Sequence, residues 1–272
     1  VISRSPKFVD EYPLAADRVR FIGDEVAAVA ATDPDAALEA LDLIQVDYEE
    51  LPAVFDPDQA LKPEAPQIHD HAPGNISREF HLKQGDVERG FQESDLVRED
   101  TFTTQSAIHA YLEPHAALAE WDMSGRLTLH TSTQTPYYVQ QHLALTLGIN
   151  PDRVRVIKPY VGGGFGGKSD GMAALDFCAA LLSRKTGKPV KIVYSRDEEF
   201  TAARRKHPVT ITMKTGVKKD GTLVARQCKA FLDGGAYCSL GPLTTVLVGT
   251  FQTLPYRIPN YRYDGYRIYT NK

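Results

Sequence analysis

Residues 158–169 read Lys-Pro-Tyr-Val-Gly-Gly-Gly-Phe-Gly-Gly-Lys-Ser, with five glycines and one phenylalanine in six consecutive positions. Glycine reaches positive φ freely and lets backbone approach a ligand closely, but it loses more conformational freedom on folding than any other residue. So dense a cluster implies a loop that wraps its backbone N–H groups around something. The run Val154-Arg155-Val156-Ile157 before it predicts a strand. Behind it, Asp170 can cap a helix that presents Leu175, Ala179 and Leu182 on one face and stops at Gly187-Lys188-Pro189. The local frame is strand, glycine loop, helix.

That frame satisfies two generic patterns. Gly162-x-Gly164-x-x-Gly167 fits the dinucleotide fingerprint, and Gly162-x4-Gly167-Lys168-Ser169 fits the phosphate-binding P-loop. Three observations weigh against both. Two or three strand–helix units precede the loop, whereas a P-loop normally begins its sheet. An acidic residue roughly 20 positions on, as a dinucleotide site requires, would fall in the basic stretch Lys185–Lys191. A Walker-type strand ending in Asp has only Val190–Asp197 as a candidate, interrupted by Ser195 and Arg196. A nucleotide site and a structural Gly-rich turn both remain open from pattern alone.

The rest of the chain reads as mixed α/β. Val26–Ala31 predicts a strand, Asp33-Pro34-Asp35 a helix start, Ala36–Leu43 its body, and Ile44–Tyr48 a second strand. A Pro-rich stretch from Pro52 to Pro73 places a domain boundary near 60–75. Leu127–Ser132 predicts a strand; Thr135-Pro136 then opens a helix lined by Val139, Leu143 and Leu147 and closed by Gly148. After a strand at Val190–Tyr194, Thr210–Gly216 and Leu223–Asp233 flank Lys219-Asp220-Gly221, a hairpin signal. With 42% hydrophobic residues, 272 positions suffice for one large domain or two ordinary ones.

A net charge of −4 gives no electrostatic footprint for nucleic acid or anionic membrane. No apolar run approaches the ~18 residues of a membrane span. Cys178, Cys228 and Cys238 are widely spaced and form no C-x-x-C pair, which suits buried thiols in a reducing, cytoplasmic compartment. The start Val1-Ile2-Ser3 lacks an initiator Met and a signal pattern, as expected of a piece of a longer chain.

The loop Gly162-Gly163-Gly164-Phe165-Gly166-Gly167-Lys168 resembles the signature of the molybdenum hydroxylase superfamily, which includes xanthine oxidase and aldehyde oxidoreductase. Ser132-Thr133-Gln134-Thr135-Pro136 resembles that family's S-T-Q segment, and His109-Ala110-Tyr111-Leu112-Glu113-Pro114 its H-x-x-x-E-P segment. Gly234-Gly235-Ala236-Tyr237, Tyr256–Asn260 and Tyr269-Thr270-Asn271 resemble its next stretches, in the same order. The Gly234–Tyr269 region, Trp121-Asp122 and Thr133–Tyr138 are similar to the bacterial branch that includes 4-hydroxybenzoyl-CoA reductase. The resemblance implies that residues 1–60 are the C-terminal part of an α/β hammerhead domain. It makes 61–77 an extended linker and 78–272 the first molybdenum-cofactor domain, incomplete at its C-terminus.

It also implies a site. Gln134 matches the family glutamine whose amide lies beside an apical oxo group, and Phe165 the residue whose backbone adjoins that group and whose ring lines the substrate side. Gly163, Gly164 and Gly166 would let amides approach the metal-oxo group and the pterin. Gln134 and Phe165 would thus neighbour the metal without ligating it. Xanthine-specific members have Glu where Ser169 stands and Arg where Lys206 stands, so a purine substrate is not expected. The implied cofactor is molybdenum–molybdopterin, in the cytosine dinucleotide form, with [2Fe–2S] and FAD on partner domains or subunits of a hetero-oligomer. The implied reaction hydroxylates, or reductively dehydroxylates, a carbon of an aromatic, N-heterocyclic or aldehyde substrate. Its catalytic glutamate is expected beyond Lys272, so this chain alone is expected to be inactive. The alternatives are a P-loop nucleotide-binding domain, in which Lys168→Ala abolishes ATP binding, or a non-catalytic subunit-interaction fragment.

Other charged groups carry blander expectations. His109, Glu113 and His115 lack the H-E-x-x-H spacing of a zinc site and read as packing or channel lining. Arg196-Asp197-Glu198-Glu199 reads as a solvated first helical turn and Arg204-Arg205-Lys206 as a solvated basic face.

Overall fold

The computed structural model describes residues 10–169 and 173–272, and its backbone clusters into two units. One joins the segment ending at Leu51 with Ile108–Arg205; the other joins Pro52–Ala107 with Lys206–Lys272. The fold is mixed α/β.

The first unit is built on a four-stranded sheet ordered Val154–Ile157, Leu127–Thr131, Ala116–Trp121, Val190–Val193. Leu127–Thr131 and Val154–Ile157 run parallel, and the other pairs are antiparallel. The parallel pair is joined by the helix Pro136–Leu147. Its Pro sits at the first turn, and Gly148 closes it at φ +66°, a left-handed cap that glycine adopts without steric penalty. A second helix, Ala174–Thr186, ends the same way at Gly187, φ +65°. Leu127, Leu129, Val139, Leu143, Phe177 and Ala179 are completely buried between sheet and helices. Because parallel strands place their C-terminal ends on one side, Ser132–Gln134 and the glycine loop emerge together there. The Asp170 cap lies outside the described residues.

The second unit is a five-stranded sheet ordered Ile76–Gln84, Asn260–Ile268, Leu223–Asp233, Val209–Val217, Leu96–Thr104. Only Leu223–Asp233 and Asn260–Ile268 pair in parallel, and the helix Gly241–Phe251 lies in the crossover between them. The hairpin at Lys219-Asp220-Gly221 is present, with Gly221 at φ +88°. Cys228, Ala230, Leu232, Tyr261 and Tyr263 form the core of this unit. Arg267, 1% exposed, donates to Ser77 Oγ and to the Gly234 and Tyr237 carbonyls, which satisfies a guanidinium that would otherwise be costly to bury. Cys178, Cys228 and Cys238 are buried, and burial pushes the Cys178 and Cys228 thiols up to about 12 and about 11.

One expectation needs correction. The helix near the N-terminus forms at Pro34–Asp42, with the Asp33 carboxylate accepting from Ala36 N at 2.9 Å. The flanking segments Val26–Ala31 and Ile44–Tyr48 carry no strand ladder among the described residues. An alternating pattern specifies which face a strand would bury; a strand also needs a hydrogen-bonded neighbour. Here Ile44, Val46 and Tyr48 stay exposed and the helix buries none of its residues.

Candidate functional site

The glycine loop is a tight turn anchored at both ends. Gly167 N donates to Gly164 O at 2.7 Å, which makes Phe165 and Gly166 the central residues of a turn. Both have positive φ, +49° and +96°, as a type I′ turn requires. Glycine fills one of those positions without strain; a bulky phenylalanine in the other is an uncommon backbone state. Phe165 is also 75% exposed, so core packing does not account for it.

The segment Ser132–Thr135 is stitched along the loop's far limb. Gln134 N donates to Lys168 O at 2.8 Å, Thr133 Oγ1 to Lys168 O at 3.3 Å and Thr135 Oγ1 to Ser169 O at 2.8 Å. The Gln134 side chain then reaches back under the turn, where Oε1 accepts from Gly166 N at 2.9 Å and Lys168 N at 3.4 Å. With its oxygen so engaged, the amide's NH2 face has no acceptor among the described residues. The N–H groups of Gly163, Gly164 and Phe165 also lack one. A Cβ on Gly164 would fall 2.4 Å from Gln134 Oε1, so only glycine permits this contact.

Beneath the loop lies a buried charge network. Lys168, side chain 0% exposed, donates to the Glu113 carboxylate at 2.7 Å, to Glu113 O at 2.8 Å and to Pro114 O at 3.3 Å. Its ammonium also sits 4.7 Å from the Tyr111 ring centre. All three N–H donors are therefore satisfied. Glu113 Oε2 additionally accepts from Gly162 N at 2.9 Å, so one carboxylate clamps the loop where it begins and where it ends. Tyr111 OH donates to Glu199 at 2.7 Å, while the amide and Nδ1 of His115 contact the same carboxylate. Burial would push Glu199 up, but the hydrogen bonds from His115 and Tyr111 outweigh it and hold the group below the usual carboxylate range.

These contacts revise several expectations. Lys168 points into the protein, away from any phosphate that the loop could cradle, which removes the P-loop reading. Glu199 is 1% exposed rather than solvated, and Arg196 donates to the Tyr111 and Leu112 carbonyls. The helix Arg196–Thr201 does start with a Ser195–Glu198 capping box, which is what its sequence resembles. Arg204 is half-buried against Glu11 at 2.5 Å, while Arg205 and Lys206 are exposed. His109, Glu113 and His115 are committed to Arg204 O, Lys168 and Glu199 respectively, three different partners. The structure thus gathers Gln134, Gly163, Gly164, Phe165, Gly166 and Ser169 at one loop. Lys206 belongs to the second unit, where its carbonyl accepts from Ser106 Oγ. The supporting roles of Tyr111, Lys168 and Glu199 were not read from the sequence, where Lys168 stood only as a possible phosphate ligand and Glu199 as a solvated charge; the Tyr111 and Glu113 positions inside one short motif were the available signal.

The chain is similar to known proteins over nearly its whole length. Residues 68–272 match the molybdopterin cofactor-binding domain, and residues 3–52 match the aldehyde oxidase and xanthine dehydrogenase a/b hammerhead domain. The chain belongs to the molybdopterin cofactor-binding domain family. It is 42% identical to the nicotinate dehydrogenase large molybdopterin subunit of Eubacterium barkeri, over 96% of this chain and 61% of that one. It is 39% identical to a probable xanthine dehydrogenase subunit of Bacillus subtilis, over 96% of this chain and 35% of that one. Among solved structures it superposes on quinoline 2-oxidoreductase of Pseudomonas putida 86 with a TM-score of 0.87 at 32% identity, covering 96% of this chain and 33% of that one. On the aldehyde oxidoreductase of Desulfovibrio gigas the TM-score is 0.90 at 29% identity, covering 98% and 30%. The chain spans 61% or less of each of these proteins.

Proposed function

We propose that the loop Gly162–Lys168 and Gln134 form one wall of a molybdenum–molybdopterin site in an oxidoreductase acting on an aromatic, N-heterocyclic or aldehyde carbon. The observation that carries this reading is the free donor face of Gln134. Its oxygen is tied down by Gly166 and Lys168, so its amide nitrogen is fixed as a donor beside three amides that have no acceptor among the described residues. A neutral, oriented N–H suits an oxo oxygen, which accepts but does not need a countercharge. The donor set and the Gly164 cradle therefore fit the group.

When bound, the cofactor supplies two-electron redox chemistry at the substrate carbon. The chain's own residues position it. Gln134 and the amides of Gly163–Phe165 would hold it as hydrogen-bond donors, and Gly166 keeps their turn tight. Phe165, 75% exposed, would offer an apolar face to a flat substrate, and Ser169, whose hydroxyl donates to Gly166 O at 2.6 Å, would stand where a purine-binding carboxylate is needed. Lys206, in place of an arginine, is assigned to the same departure from a purine substrate. The relatives named for nicotinate and quinoline support a heterocyclic substrate. The similarity around Trp121-Asp122 and Thr133–Tyr138 keeps the aryl-CoA reductase branch as a second reading.

Residues 1–60 are assigned to the end of the hammerhead domain, 61–77 to a linker and 78–272 to the cofactor domain. Electrons would leave through [2Fe–2S] and flavin groups on partner subunits or domains. The cytosine dinucleotide form of the cofactor and a cytoplasmic hetero-oligomer complete the assignment; no helix of the described residues is long and apolar enough to cross a membrane. The test is molybdenum and pterin content after expression in a cofactor-producing host. Loss of both in Gly164→Val, with the fold retained by circular dichroism, is expected; full loading of that variant overturns the reading.

A further inference from the structure

The first unit carries a second candidate site at the opposite end of its sheet. Gly125, Asn150 and Arg153 precede the parallel strands Leu127–Thr131 and Val154–Ile157, whose other ends deliver Gln134 and the glycine loop. Together with Trp121, Met123, Ile149, Ser183 and Arg184 they line an open surface groove of about 680 Å³, in which Met123, Arg153 and Arg184 are exposed. That volume lies within the range of small-molecule sites.

Its chemistry is specific. Trp121, the chain's only tryptophan, is half-buried, with Nε1 donating to Ala180 O at 2.8 Å. The Arg184 guanidinium lies over the indole, 5.2 Å from its centre, and has no hydrogen-bond acceptor among the described residues. Arg153 gives Nη1 to Ser124 O at 2.9 Å and keeps its remaining N–H groups unpaired among the described residues. Ser183 is 1% exposed, and its hydroxyl has no partner among them. Asp122 is the one carboxylate in the lining, and its Oδ1 already accepts from Ser124 N, Ser124 Oγ and Arg126 N. Two exposed guanidinium groups with unused donors therefore share the groove with an apolar strip of Met123, Ile149 and the indole, and Asp122, Asn150 and Ser183 complete its polar lining. Guanidinium pairs planar carboxylates in a forked geometry, and aromatic rings pack on such a wall.

We infer that this groove binds a small aryl carboxylate, at a site separate from the cofactor loop. The carboxylate pairs with Arg153 and Arg184, and the ring packs against Trp121, Met123 and Ile149. Because the chain has a single tryptophan, its fluorescence reports on this groove alone.

The test is titration of the whole chain with phenylacetate, with 2-phenylethanol, acetate and inorganic phosphate run in parallel. Phenylacetate is expected to change Trp121 emission saturably, and 2-phenylethanol is expected to give no saturable change. Acetate and phosphate, which lack the ring, are expected to bind more weakly. Arg153→Gln and Arg184→Gln should each raise the half-saturation concentration about tenfold, the loss of one charged hydrogen-bonding partner. Arg184→Gln changes the indole's own surroundings, so affinity is read from half-saturation and not from amplitude. The inference is overturned if phenylacetate gives no saturable change or if 2-phenylethanol matches it. Equal binding of phosphate, or unchanged affinity in both variants, also overturns it. The ligand series on the unaltered protein decides even if a variant folds poorly.

Discussion

Replacing Lys168 by Met separates the two functions that a Gly-Lys-Ser sequence can serve. In the structure the Lys168 ammonium is wholly buried and donates to the Glu113 carboxylate, the Glu113 carbonyl and the Pro114 carbonyl. Methionine fills the stem's volume and keeps contact with Tyr111, so packing loss is small. Removing one partner of a buried pair costs about 3–5 kcal/mol. Here Glu113 is 34% exposed and keeps the Gly162 N–H, so water and that amide offset part of the loss. The expected destabilisation is about 2–3 kcal/mol, a fall of roughly 5–10 °C in the melting temperature of the first unit. Glu113→Gln should be partly non-additive with it, because both act on one contact. The assay is thermal unfolding by circular dichroism, with ATP–Mg²⁺ calorimetry on the unaltered protein. If Lys168→Met melts within about 1 °C of the parent and abolishes measurable ATP binding, the buried strut is refuted and the P-loop reading stands.

Gly164→Ala should lower stability by only about 1–2 kcal/mol, since the Gln134 side chain can swing aside, yet molybdenum content should fall sharply; inductively coupled plasma measurement checks this. Glu199→Gln should destabilise by about 2 kcal/mol at neutral pH, because an amide NH2 would face the Tyr111 and His115 donors. Folding depresses the Glu199 pKa, so its contribution is present above the unfolded value of about 4.3 and is lost as pH falls through the folded value. The variant and parent melting curves should therefore converge in acid. Glu25 behaves oppositely. Burial raises it despite the 2.6 Å hydrogen bond from Tyr194, so its contribution favours the native state at low pH and is lost as pH rises through the folded pKa. Glu25→Gln should raise the melting temperature at neutral and alkaline pH and leave it unchanged near the unfolded carboxylate pKa.

Local chemistry made part of the fold legible in the sequence. Gly148 and Gly187 end their helices in left-handed caps, and Pro136 opens one, because those residue types carry the required φ wherever they sit. Lys219-Asp220-Gly221 announced its hairpin for the same reason. Long-range pairing was not legible. Ile76–Gln84 pairs with Asn260–Ile268, bringing Phe80 opposite Gly265, and nothing near either segment names the other. Val26–Ala31 and Ile44–Tyr48 are the converse, a strand pattern without a ladder among the described residues.

The site divides in the same way. Glycines at 162–167 and an amide at Gln134 are visible as composition, and their spacing suggested a backbone cradle. Whether that cradle could serve a phosphate turned on where Lys168 points, which depends on Glu113, 55 residues upstream. Glu199 looked solvated because its capping box is a surface pattern. Its burial is decided by Tyr111 and His115, 88 and 84 residues away.

Anomalous diffraction at the molybdenum edge, on crystals of protein from a cofactor-producing host, tests the cradle most directly. The expected result is one strong peak beside the Gln134 amide nitrogen and the Gly163–Phe165 amides, absent from crystals of Gly164→Val. A peak elsewhere in the chain, or one that persists unchanged in Gly164→Val, would contradict it.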